Sequence, residues 1–156
     1  NMSTKIYQGR GRRLKKEKLC RRRSKAGKMR GNTMHYILII KGKLNNMNDY
    51  IRALNTNRYK GADMKKDNES RVIQAIYEQF GRLRITRKVR MHYRWYEPDK
   101  RRDLDNVSAF GRKCIQDALV DTKVLQDDGW KNIVGFTDEF YVDKKNPRIE
   151  VDIEEV

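Results

Sequence analysis

Val89-Arg90-Met91-His92-Tyr93-Arg94-Trp95-Tyr96 alternates without a break, and the stretch that follows it, from Leu104 to Val120, changes period. Val89, Met91, Tyr93 and Trp95 fall on one side of an extended chain. Arg90, His92, Arg94 and Tyr96 fall on the other, the period of two expected of a strand with a core face and a wet face. Pro98 breaks the strand, and Asp99-Lys100-Arg101-Arg102 forms a charged turn. Beyond it, Leu104, Val107, Gly111, Cys114, Ile115 and Ala118 share one side of a helix. At 100° per residue, Asn106, Lys113 and Asp117 gather near the opposite side, with Asp105 at its margin.

Working outward in both directions extends this core. Residues 35–41, His-Tyr-Ile-Leu-Ile-Ile-Lys, read as a buried strand. Residues 43–61 are rich in asparagine and arginine and predict a polar, basic loop with a short helix around Tyr50–Leu54. Val72, Ile73, Ile76, Tyr77 and Phe80 recur at helical spacing, so a helix is expected from about Met64 to Leu83, with Gly81 near its end. Gln126-Asp127-Asp128-Gly129 is a turn by composition. Residues 133–142 form a strand, and Ile149, Val151 and Ile153 alternate with Glu150, Asp152 and Glu154 in a last, half-exposed one. The order β-α-β-α-β-β predicts a single α+β domain over residues 34–156 with a small mixed sheet and two main helices.

The chain has 156 residues, room for one ordinary domain, and a formal net charge of +16. No run approaches the roughly 20 apolar residues of a membrane span. Two cysteines, Cys20 and Cys114, exclude a disulfide framework and an all-cysteine metal site. These features predict a reduced, cytoplasmic protein with an anionic partner. Residues 1–33 carry 13 Lys and Arg against the single acid Glu17, a balance of +12. That leader is expected to be flexible. It reads either as an arm that grips a polyanion through its phosphates or as an upstream extension, with Met34 a natural start.

The acids cluster at two junctions. Asp103 and Asp105 flank Leu104 where a loop enters a helix, and Asp127-Asp128 precede a strand. Carboxylates converging from two loops repel unless a cation joins them, and oxygen-only ligation suits Mg²⁺ or Mn²⁺. Such an ion activates water and steadies a developing phosphate charge, and Lys113 on the same helix can reach that phosphate. Each group also has a plain structural use. Asp103 can cap the helix, Asp105 can face its dipole, Asp127-Asp128-Gly129 can be a turn, and Lys113 with Asp117 can be a surface ion pair. The cationic leader by itself also suits a non-catalytic nucleic-acid-binding protein.

Arg101-Arg102-Asp103-Leu104-Asp105-Asn106, then Lys113, then Asp117-Ala118-Leu119, then Asp127-Asp128, resembles the RusA family of Holliday junction resolvases, small bacterial and prophage endodeoxyribonucleases. Lys43–Tyr59, with Asn48-Asp49-Tyr50 and Asn57-Arg58-Tyr59, is similar to that family's asparagine-containing loop. Gly129-Trp130-Lys131 and Gly135-Phe136-Thr137-Asp138 resemble its Gram-positive form. The resemblance spans about residues 34–155. It implies a homodimer in the cytoplasm of a bacterial host that binds four-way DNA junctions and cuts them by paired, symmetric nicks in recombination and repair. It further implies Mg²⁺, with Mn²⁺ as a substitute, and no organic cofactor. By position, Asp103, Asp105 and Asp128 are the metal-binding catalytic carboxylates, Lys113 the catalytic lysine, and Asp127 and Asn106 candidate helpers. Lys100, Arg101, Arg102, Arg52, Arg58 and Asn48 are expected to contact DNA. The lysine here stands one helical turn further from Asp105 than in the compact enterobacterial form, and Asn46-Met47 replaces a proline-serine pair.

Overall fold

The computed structural model describes residues 26–156, so most of the basic leader lies outside the described residues. The chain runs β1 (Lys28–Arg30), β2 (Thr33–Lys41), α1 (Met47–Thr56), α2 (Arg58–Phe80), β3 (Val89–Glu97), α3 (Leu104–Asp121), β4 (Ile133–Val142) and β5 (Arg148–Glu155). All five strands join one mixed sheet in the order β1-β2-β5-β3-β4, an α+β domain as expected. Among the described residues, only β3 and β4 pair in parallel. A parallel pair needs a crossover, and α3 supplies it. In register, Val89 pairs with Ile133 at the start of both strands and Glu97 with Val142 at the end of both. The loop before α3 and the turn before β4 therefore leave opposite ends of the pair.

The alternation read from β3 is the core. Val89, Met91, Tyr93 and Trp95 are all buried, as are Leu38 and Ile40 of β2 and Ile149, Val151 and Ile153 of β5. Val72, Ile76 and Phe80 of α2 and Val107, Phe110, Cys114, Ile115 and Leu119 of α3 complete the buried cluster. Each large side chain contributes about 1.5–3 kcal/mol of transfer free energy. Helix α3 comes close to Trp95 at Gly111, where an added Cβ would lie 2.9 Å from the indole ring. The other face of the sheet is held by cross-strand polar contacts, an Arg94–Glu150 ion pair at 3.5 Å and a His92–Glu154 hydrogen bond at 2.9 Å. Asp152 is only 4% exposed on that face, lying 2.8 Å from His35 Nδ1 and accepting from Arg30 at 3.1 Å.

Three sequence expectations change. The asparagines of residues 43–61 cap helices rather than fill a loop. Asn46 and Asp49 form a capping box that starts α1, and the Asn57 side chain accepts the Lys60 N–H to start α2, two turns before Met64. Strand β2 is half buried rather than buried, because Ile39, at 40% exposure, faces away from the helices. Finally, residues 28–30, placed in the leader, pair with β2 through a two-residue turn at Gly31-Asn32, with Gly31 at φ 59°.

Candidate functional site

Asp103 occupies the cap position of α3 with extended backbone, yet its side chain makes no capping hydrogen bond. Its carboxylate is exposed, as is that of Asp105 in the first helical turn, where the positive end of the helix dipole favours negative charge. Asn106 faces α1, and its side-chain oxygen accepts the backbone N–H of Asn48 at 2.8 Å. Tyr50 stacks on Phe110 one turn further along, with ring centroids 4.5 Å apart. These two contacts dock α1 on the start of α3, so Asn106 serves as a brace beside the acidic pair.

Two turns down α3, the ammonium of Lys113 lies 2.7 Å from Asp117 and 3.0 Å from Asp128. Lys65, from α2, reaches the second oxygen of Asp117 at 2.9 Å and Glu69 at 3.3 Å. The hydrogen bond to Asp117 raises the Lys65 pKa, and hydrogen bonds to Asp117 and Asp128 raise that of Lys113. Burial alone would raise the Asp117 carboxyl, but the two ammonium groups outweigh it and hold the carboxyl below its usual range. Lys65, Glu69, Lys113, Asp117, Asp121 and Asp128 line a cavity of about 250 Å³. Lys113 and Asp117 thus belong to a two-helix charge cluster rather than an isolated surface pair. Burial pushes the adjacent Cys114 thiol up to about 12, which keeps it protonated and unreactive near neutral pH.

The expected DNA-contacting residues divide. Arg101 is exposed, with Asp99 3.6 Å away, and Arg52 and Arg58 are exposed on α1 and α2. The Arg58 guanidinium lies over the exposed Tyr59 ring, 5.0 Å from its centroid. Lys100 lines a second, larger cavity of about 580 Å³ together with Asp103, Leu104, Phe140 and Tyr141. Arg102 differs. It makes a two-pronged ion pair with Glu97, at 2.6 and 3.2 Å, and donates to the Leu44 carbonyl, so it ties the loop before α3 to β3 and to the segment between β2 and α1. Asn48 is exposed, and its backbone N–H is spent on Asn106.

The donors suit a hard divalent cation by chemistry, since they are all carboxylate oxygens. Among the described residues, however, no three His, Cys, Asp or Glu side chains are grouped to hold an ion. Asp103 lines the larger cavity and Asp128 the smaller. The expected meeting of Asp103, Asp105 and Asp128 at one point is therefore not found. The reason lies in the crossover: Asp128 meets α3 at Lys113, eight residues or about 12 Å along the axis from Asp105. Asp127 is exposed and folds back over Gly129, its Oδ2 2.9 Å from where a glycine Cβ would stand.

Lys65 is the member of the cluster that sequence reading missed. It is one of several lysines on α2 and carries no local signal; only the packing of α2 on α3 selects it. No helix among the described residues is long and apolar enough to cross a membrane. The family model described as endodeoxyribonuclease RusA matches residues 21–154. No curated protein matches the chain.

Proposed function

Because the chain belongs to the RusA family of endodeoxyribonucleases, we propose that it resolves four-way DNA junctions by a divalent-metal-dependent cut in each of two opposed strands. Asp103 and Asp105 would hold Mg²⁺, and Mn²⁺ suits the same oxygens; Asp128, which pairs with Lys113 instead, would join them only on leaving that lysine. A bound ion of this kind lowers the pKa of its water and offsets charge developing on the phosphate. The residues of the chain do the rest. Asp103 is free of capping duty, so its oxygens remain available. Lys113 presents a fully charged ammonium for a non-bridging phosphate oxygen. Lys100, Arg101, Arg52 and Arg58 would hold the flanking phosphates, while Arg102 keeps the loop before α3 in place. A homodimer would set two such sites about one two-fold axis, matching a junction of the same symmetry and giving paired nicks.

The observation that carries this reading is the 3.0 Å contact between Lys113 and Asp128, which brings the turn before β4 onto α3, the helix that Asp103 and Asp105 begin. The matching experiment is nicking of a synthetic four-way junction across a Mg²⁺ titration. Asp105→Asn is expected to bind the junction and cut at least about 100-fold more slowly. Asp128→Asn is expected to need more Mg²⁺ for its residual cutting. Unchanged cutting by Asp105→Asn, or cutting in excess chelator, sinks the assignment.

A further inference from the structure

Trp130 is 96% exposed, the most exposed large apolar side chain among the described residues. The other tryptophan, Trp95, is 2% exposed and donates its indole N–H to Asp138 at 2.8 Å. One indole therefore serves the core, and the other has nothing packed upon it. Trp130 does not sit on a loose tip. The Gly129 carbonyl accepts from both Asn132 N–H and Ile133 N–H at 3.0 Å, closing the turn around Trp130. Two residues before it, Asp128 is anchored by Lys113. The same short turn thus carries a carboxylate of the candidate site, a bare aromatic plane at its crown, and then Lys131.

An indole left wholly in water offers a large, rigid apolar face with a polar N–H edge, and covering it with a partner is favourable. Residues 34–156 keep a small basic excess and Lys131 follows the indole directly, so an anionic partner fits. A nucleic acid combines that charge with aromatic faces, and stacking of a base on an aromatic side chain is a strong, sequence-tolerant contact. The geometry points to Trp130 as a base-stacking residue that takes an unstacked nucleobase of the DNA, two residues along the turn from Asp128. The choice of DNA as ligand rests on the nuclease reading above. In an intact duplex both faces of each base are already stacked, whereas a branch point leaves a face free. Trp130 therefore favours branched over linear DNA, and Lys131 lies beside it to meet the adjoining phosphate.

The test reads binding in chelator, where a metal-dependent enzyme does not cut. The full chain is titrated with a synthetic four-way junction and with a linear duplex of the same sequence, following tryptophan fluorescence and its quenching by acrylamide. Because Trp95 is buried, quenching reports Trp130. The junction is expected to shield Trp130 from acrylamide and the duplex to shield it much less. Trp130→Ala is expected to lose roughly tenfold in junction affinity and far less in duplex affinity, and Trp130→Phe to recover most of that loss. Equal losses on both DNAs, no loss on either, or a Trp130 as quenchable with junction as without it overturns the proposal. Shielding that grows with protein concentration in the absence of DNA also overturns it, because a second copy is then the occupant. A failure of the metal assignment shows separately, in the cutting by Asp105→Asn.

Discussion

Lys65 and Lys113, on different helices, each take one oxygen of the same carboxylate, Asp117, at 2.9 and 2.7 Å. The carboxylate so bridged holds the Lys113 ammonium against Asp128. Four charges from α2, α3 and the turn before β4 therefore act as one unit, and loss of any member is felt by the others.

The first prediction concerns that unit. Lys113→Met removes the ammonium itself and is expected to slow junction cutting by at least about 100-fold. Lys65→Met leaves Lys113 charged but frees Asp117, and is expected to slow cutting roughly tenfold with little change in KM, as is typical of groups that orient a reacting residue. Lys65→Arg keeps the bridge and restores most of the rate. A rate for Lys65→Met equal to wild type removes Lys65 from the positioning role.

Asp117 also sets an acid limb. Its folded pKa lies below the usual 3.8, so the unfolded chain takes up its proton more readily. The stabilisation is then complete above that range and is lost as pH falls through the lower folded value. Thermal melting from about pH 6 to about pH 2 checks this. The gap between wild type and Asp117→Asn should be widest at the upper end and shrink toward the lower. A gap that is constant with pH contradicts it.

Gly111 is a packing prediction independent of function. An alanine Cβ would meet the rigid, buried Trp95 ring at 2.9 Å on two atoms. Gly111→Ala is expected to cost about 1–3 kcal/mol in urea unfolding despite the better helix propensity of alanine, because α3 must lift from the sheet.

The joint between α1 and α3 is weaker. Asn106→Ala leaves the Asn48 N–H to water and removes one of the two contacts that hold α1 beside the acidic pair. A loss of about 0.5–1.5 kcal/mol is expected. Faster amide exchange in α1 than in α2, measured in the variant, places that loss where the structure puts the bond.

Much of the fold is legible locally. The alternation of residues 89–96, the helical spacing from Val107 and the alternation of residues 149–154 depend on which side chains face the core, and burial reproduces them except at two positions. Leu104, read as a core residue, is 59% exposed, and Asp152, read as facing water, is buried. The errors cluster where one residue type has two uses. Asparagine favours loops and also caps helices, so Asn46 and Asn57 read as loop until the backbone beyond them is seen to be helical. Gly31-Asn32 is a hairpin signal that the surrounding run of positive charge obscures. The acid motif and Lys113 are visible as a pattern, but Lys65 is not, and neither is the use of Arg102 as a clamp on Glu97 rather than a phosphate contact.

Period, caps and charge balance are properties of neighbours along the chain, so residue order alone determined that this protein has an α+β fold, a cationic balance and an acidic motif at the head of α3. Distance between remote residues is another matter. It depends on where a parallel crossover returns the chain, and only the tertiary structure decided that Asp128 meets α3 at Lys113 rather than at Asp105, that α2 lends Lys65 to the same cluster, and that the indole of Trp130 is left facing water.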